Sequence, residues 1–387
     1  MEIPGRWRLY PERTSCYSSS RAGRSRLGLV ERLGRLLSMF SLVCWSALCA
    51  GKGYVGAQVC GSCHAAEFRG QSASGHARAL YRATEHPLAE NFTPLVTLTR
   101  PPDFNFRFVR TPRGIQAEGD DSKYLIRLPV DWAFGAGSHA VTFVGKASDE
   151  LYIEHSFTYY PDSKTLDITP QHETLPARTL NEAMGQAFRI EGSGFTIQAC
   201  FRCHSTGPVS VSPTHEVQVT EPGVRCEVCH GPGSEHVEAA GAGDLEKARK
   251  LIQIPKTFPA AELNRWCGTC HRFADGTVNW NDPWNVRHQP PYLQESRCFI
   301  ESAGALSCLT CHNPHEKLRR NDAAYYRRIC LGCHTQNAPR PKAVCKQQQD
   351  PDCTGCHMPA VAANAHLRFR NHWIGVYEAG SSLKPRR

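Results

Sequence analysis

The chain of 387 residues carries 45 Lys and Arg against 36 Asp and Glu, a formal charge of +9, and is rich in Cys (19) and His (18). Its positive charge does not imply a nucleic-acid partner, because +5 of it lies in the first fifty residues, where eight Arg face three Glu. Nor is this the short secreted chain in which many cysteines ordinarily mean a disulfide framework.

Residues 1–50 read as a signal peptide. Arg6, Arg8, Arg13, Arg21, Arg24, Arg26, Arg32 and Arg35 form a charged region, and the apolar run Leu36–Ala50 ends in small residues beside Gly51. That basic region is longer than usual, which places the true start downstream of Met1 as one reading. At fifteen residues the apolar run is short for a membrane span, so cleavage near residues 49–53 is expected, with an uncleaved anchor as the alternative. No lipobox-like triplet precedes Cys44 or Cys49. The mature chain is then exported and periplasmic, and cleavage also removes Cys16, Cys44 and Cys49.

Residues 51–90 hold a first Cys-x-x-Cys-His, Cys60-Cys63-His64, and 135 residues separate it from the next copy. The gap reads as a β-rich insert over residues 91–190. Phe104, Phe106 and Phe108 alternate, and Tyr124–Val130, Val141–Val144 and Leu151–Tyr160 are β-branched and aromatic runs bounded by Gly, Pro, Asp and Ser. Two or three hairpins forming a small sheet are expected, with Trp132 and Phe134 in its core. Residues 191–375 then carry six copies within 158 residues: Cys200-Cys203-His204, Cys226-Cys229-His230, Cys267-Cys270-His271, Cys308-Cys311-His312, Cys330-Cys333-His334 and Cys353-Cys356-His357. Short helical turns joined by Gly/Pro loops are expected there, with one longer helix over Ser234–Ile252 weakened by Gly241 and Gly243. Residues 376–387 form a tail.

Cys-x-x-Cys-His is the attachment signature of c-type haem. Two thiols three residues apart can each add to a vinyl group, and the adjacent His then lies under the iron. Zinc half-sites and thioredoxin-like pairs also use Cys-x-x-Cys, but neither demands a His after every second Cys. Seven repeats of one pentapeptide therefore predict seven covalently bound haem c, held by the fourteen motif cysteines with the seven motif histidines as proximal ligands. The expected fold is mostly α and irregular, a haem-packed multihaem cytochrome c with a β-rich insert between haem 1 and haem 2. Only Cys298 and Cys345 remain outside the motifs of the mature chain, to pair or to stay buried. Ionised propionates would take the mature +4 to about −3 oxidised and about −10 reduced, so basic side chains are better read as propionate partners.

Met184 and Met358 are the only methionines past the leader, so His/Met ligation can serve two haems at most. Bis-His, low-potential haems should dominate. Eleven histidines lie outside the motifs: His76, His86, His139, His155, His172, His215, His236, His288, His315, His366 and His372.

Val59–Ala79 (VCGSCHAAEFRGQSASGHARA), Gly223–His236 (GVRCEVCHGPGSEH), Cys308–His315 (CLTCHNPH) and Asp352–Pro359 (DCTGCHMP) resemble segments of the cytochrome c-552/c-554 family, related to the hydroxylamine oxidoreductase and pentahaem nitrite reductase superfamily. The resemblance covers most of residues 54–375. It implies distal iron ligands at His76, His236, His315, His366 and His372, with His139 a sixth. The other five read as surface or propionate-bonding histidines, or as weaker candidates for a remaining ligand position.

Two functions follow. The first is an electron carrier, handing electrons between redox proteins docked at exposed haems, a membrane quinol oxidoreductase among the candidates. The alternative is an oxidoreductase acting on small nitrogen or sulfur species at one five-coordinate haem. The chain departs from the enzyme patterns of its relatives. It has no Cys-x-x-Cys-Lys motif and seven motifs rather than eight. No cross-linking Tyr stands out, since Tyr124, Tyr152, Tyr159 and Tyr160 are expected in the sheet core.

Overall fold

The computed structural model describes residues 53–175, 177–272, 278–335, 345 and 352–386, so the signal-peptide reading of residues 1–50 lies outside the described residues. The alternating Phe104, Phe106 and Phe108 fall on strand Phe104–Thr111. It pairs with Leu98–Arg100 on one side and Gly114–Asp120 on the other, and Leu125–Val130 completes an antiparallel four-stranded sheet. A second antiparallel sheet has the order Leu80–Arg82, Trp132–Phe134, Thr142–Lys146, Leu151–His155, Gly185–Arg189. The pairs Phe157–Tyr160 with Thr165–Ile168, Ser205–Val211 with Val217–Pro222, and Ala360–Ala362 with Arg368–Arg370 form separate two-stranded ribbons.

The expected mostly α and irregular fold with a β-rich insert holds in part: short helices are present together with many antiparallel strands. Pairing begins at Leu80, before the expected insert at residues 91–190, and runs on to Arg370, past the last motif. Phe157–Tyr160 lies in the expected Leu151–Tyr160 run, whereas Ser205–Val211 (STGPVSV) is interrupted by Gly, Pro and Ser, and Ala360–Ala362 and Arg368–Arg370 are too short to stand out in sequence. Likewise the helix expected over Ser234–Ile252 is two helices, Ser234–Gly241 and Leu245–Lys250. Gly243 adopts φ +80 between them, and Asp244 caps the second by accepting the Lys247 N–H. Tyr152, Tyr159 and Tyr160 are buried, but Tyr124 is 71% exposed beside the turn that starts Leu125–Val130.

The five-stranded sheet is buried on both faces, and its period-two alternation decides what each face holds. Ala133, Phe143 and Ile153 point toward Phe106, Phe108 and Ile115 of the four-stranded sheet, joined by Phe92, Phe157, Tyr159 and Met184. Trp132, Phe134, Val144 and Tyr152 point the other way, into a second cluster with Leu80, Ile197, Phe201 and Val217. That second face is the floor on which the helix of the second motif rests. Trp132 and Phe134 are thus core residues, 3% and 9% exposed.

Glu118, on the four-stranded sheet, accepts from Arg127 Nε at 2.7 Å and Arg107 Nε at 2.5 Å. These bonds, Arg127 first, hold its carboxyl below the usual carboxylate range. Because the folded value lies below the unfolded one of about 4.3, the contribution is complete above that pH and is lost as pH falls through the folded value. Glu118→Gln should flatten the acid side of the stability profile, measured as unfolding midpoints across mildly acidic pH. Phe143→Ala, at a 0% exposed position in edge contact with Phe92 and tilted against Phe108, should cost about 3–5 kcal/mol, read by chemical denaturation of the holoprotein with circular dichroism.

Candidate functional site

Every motif lies on or at the end of a short helix: Ala57–Cys63, Gln198–His204, Cys226–His230, Ala260–His271, Cys308–Cys311, Ala323–Leu331 and Cys353–His357. A helical turn puts residues i and i+3 on one face, which brings the two thiols together and leaves the His at the turn's end. Local sequence starts these turns. Ser307 and Thr310 form a capping box before Cys308, and Asp322 and Asp352 accept the Tyr325 and Gly355 N–H groups. Phe201, in the second motif's helix, packs on Trp132 and Phe134 with centroids 5.3 and 5.0 Å away.

All seven motifs line one branched cavity of about 3580 Å³. Small-molecule pockets run to roughly 300–1,000 Å³, so several large ligands are implied. Thiols of different motifs meet across its walls. Cys60 lies close to Cys226, Cys203 to Cys270, Cys267 to Cys308, and Cys330 to Cys353. Cys229 lies within electrostatic reach of Cys267 and Cys270, and Cys311 of Cys330. These contacts join the motifs into one network: first to third, third to fourth, second to fourth, fourth to fifth, fifth to sixth, sixth to seventh. Cys298 lies near Cys333 and Cys311 in the same wall. Cys345 also lines the cavity.

Four motif histidines face a second histidine across the cavity. Ring centroids are 6.3 Å apart for His64 and His236, 5.9 Å for His271 and His76, 6.0 Å for His230 and His315, and 6.3 Å for His312 and His372. Two imidazoles bonded to one metal at about 2 Å each, with ring centres a further ~1.1 Å behind the nitrogens, would sit ~6.2 Å apart. The partner is never on the histidine's own motif. His76, twelve residues past His64, faces the fourth motif instead of the first.

Hydrogen bonds at Nδ1 choose the tautomer. Nδ1–H donates to a backbone carbonyl in His204 (Ala79, 3.0 Å), His230 (Gln253, 2.8 Å), His236 (Ala248, 2.9 Å), His357 (Gly375, 2.8 Å) and His372 (Arg370, 3.0 Å). This leaves the Nε2 lone pair to a metal. Burial, with His271 and His312 nearby, pushes His76 down to about 4; burial and His312 do the same for His372. Both are therefore neutral, as ligands must be.

The remaining histidines are occupied otherwise. His139 lines the cavity, but its Nδ1 accepts from Arg320 Nη1 at 3.0 Å; a neutral ring then carries its proton on Nε2. His366 donates Nε2–H to Asp167 at 2.7 Å and stacks on Tyr160, outside the cavity lining. His86 uses both nitrogens, accepting from Leu88 N and reaching Gly135 O. His155 reaches Pro129 O and His172 reaches Glu154, both inside the β-rich part. His215 sits at φ +57 at the tip of the Ser205–Val211/Val217–Pro222 ribbon. His288 is the exception: it lines the cavity beside Arg287, and its Nε2 is buried with no hydrogen-bond partner among the described residues.

Several residues that position the site gave no sequence signal. Asn264, 0% exposed, accepts from both Cys308 N and Cys308 Sγ. Gly70 packs so closely on the His315 carbonyl that a Cβ would come within 2.2 Å of its oxygen. Neither role is visible until the partner segment is in place.

The family model for cytochrome c554 and c-prime matches residues 169–231, which contain the second and third motifs. The chain is a multihaem c-type cytochrome. Among solved structures, the outer cell wall cytochrome OcwA is similar at 13% identity over 83% of this chain and 79% of that one, with a TM-score of 0.44. No curated protein matches. Among the described residues no group of three or more His, Cys, Asp or Glu converges on a metal-sized point, and no helix is long and apolar enough to cross a membrane.

The donor set of this cytochrome fits covalently bound haem c: paired thiols, a following His, and a cavity that side chains leave open. An empty cavity of that size is unstable, since its walls lose packing partners. Without haem the motif-rich part should therefore lose its fold while the double-sheet core persists. Limited proteolysis of chain made without haem maturation should cut residues 226–375 rapidly and spare 98–168.

Proposed function

We propose that this is an exported heptahaem cytochrome of the periplasm that carries electrons through low-potential, mostly bis-His haems. When bound, each haem supplies a one-electron redox centre whose potential follows its axial ligands and surroundings. The observation that carries the proposal is the set of four facing histidine pairs, joined by motif-to-motif thiol contacts.

Fourteen motif cysteines would hold seven haems, with His64, His204, His230, His271, His312, His334 and His357 beneath them. His236, His76, His315 and His372 would complete the first, fourth, third and fifth sites. His139 and His366, occupied by Arg320 and Asp167, are not proposed as ligands. The protein's own task is to fix these rings and exclude water, so that little rearranges when an electron arrives. The thiol network offers a path from the first motif to the seventh, with the second motif as a branch from the fourth. Partners would be redox proteins, a membrane quinol oxidoreductase among them.

One observation favours the second reading, an oxidoreductase for small nitrogen or sulfur species. Among the described residues no histidine ring faces His357 or His204, whose neighbouring ring is Phe134 at 5.1 Å. A site at either without a sixth ligand would admit a substrate. Titration of the holoprotein with nitrite, hydroxylamine and cyanide separates the readings: inert spectra mean a carrier, and a saturable change in a high-spin fraction means an enzyme.

His76→Ala should convert one haem from low to high spin, measured by electron paramagnetic resonance with haem stoichiometry on the same sample. An unchanged spin count would remove His76 from the ligand set.

A further inference from the structure

Between the two thiols of the third motif lies a buried carboxylate to which electron transfer assigns no task. Glu227 is 3% exposed, and among the described residues no cation pairs with it. Its oxygens accept instead from backbone: Val55 N–H at 3.0 and 3.2 Å, Gly56 N–H at 2.8 Å and Gly233 N–H at 2.8 Å. A carboxylate removed from water needs such donors to offset its lost hydration.

The donors come from both sides of one histidine pair. Val55 and Gly56 enter the helix Ala57–Cys63, which ends at His64. Gly233 enters the helix Ser234–Gly241, which carries His236. Two further bonds tie the same entrances, Gly53 N to Ser234 Oγ at 2.8 Å and Ser234 N to Gly53 O at 3.1 Å. The Cys60 and Cys226 thiols meet just beyond. Glu227 is thus the crosspiece between two helices whose rings face each other at 6.3 Å.

We propose that Glu227 is the positioning residue of the first haem site: it sets the gap between His64 and His236 and locks that site to the third motif. This rests on the axial-pair reading above. Glutamine cannot replace it, because one oxygen becomes an NH2 donor facing backbone donors. Aspartate keeps both oxygens but is one methylene short of spanning the two entrances.

The test compares His236→Ala, Glu227→Gln and Glu227→Asp holoproteins by haem stoichiometry, spin count and carbon monoxide binding to the reduced protein. His236→Ala should add one high-spin, carbon monoxide-binding haem relative to wild type. Glu227→Gln should add the same fraction with all seven haems still covalent, and Glu227→Asp a partial one. If His236→Ala leaves the spin count unchanged, the pair itself is misread and the role of Glu227 falls with it. If His236→Ala converts a haem but Glu227→Gln does not, the carboxylate only staples a loop and the proposal is overturned. Should Glu227→Gln yield no seven-haem protein, Glu227→Asp decides: mixed spin supports the role, and a wild-type count overturns it.

Discussion

Fourteen thiols and seven histidines must be presented around a space that the protein's own side chains leave open, and most of this structure serves that requirement. Each motif solves it locally with one helical turn. What the turns cannot do is hold one another apart, since their walls meet across a continuous cavity instead of a packed core. The motif-rich part therefore takes its rigidity from backbone-to-backbone ties, buried polar staples and the ligand itself.

The β-rich part has the opposite character. Its two sheets share an aromatic core in which Phe92, Phe106, Phe108, Phe143 and Phe157 interlock, and no motif contributes to it. The reverse face of the five-stranded sheet meets Phe201 and so fixes the second motif. A conventional hydrophobic layer thereby anchors an unconventional one. Phe134 serves both, lying in the sheet and against the His204 ring.

Polar groups in the cavity wall are used to aim rings. Backbone carbonyls take Nδ1–H from five histidines, which leaves the Nε2 lone pair of each ring available to a metal. Arg320 and Asp167 do the reverse to His139 and His366. Glu227 works one level further out, tying the entrances of two helices so that the rings they carry stay in register.

The sequence by itself determined the chemistry. Repeated Cys-x-x-Cys-His pentapeptides name covalently bound haem c as the cofactor, because that chemistry depends only on neighbours within one turn. Period-two alternation at Phe104, Phe106 and Phe108 likewise announced a strand, since facing is a local property of extended chain. The spread of strand pairing from Leu80 to Arg370 was not legible, nor was the break at Gly243 as a full stop between helices. Only the tertiary structure decided which histidine faces which. His76 serves across from His271, some two hundred residues away, and His236 returns to His64. His366 matches the family spacing as well as His372 does, but in the structure it bonds Asp167 and stacks on Tyr160. Those outcomes depend on contacts between distant segments, and spacing along the chain does not encode them.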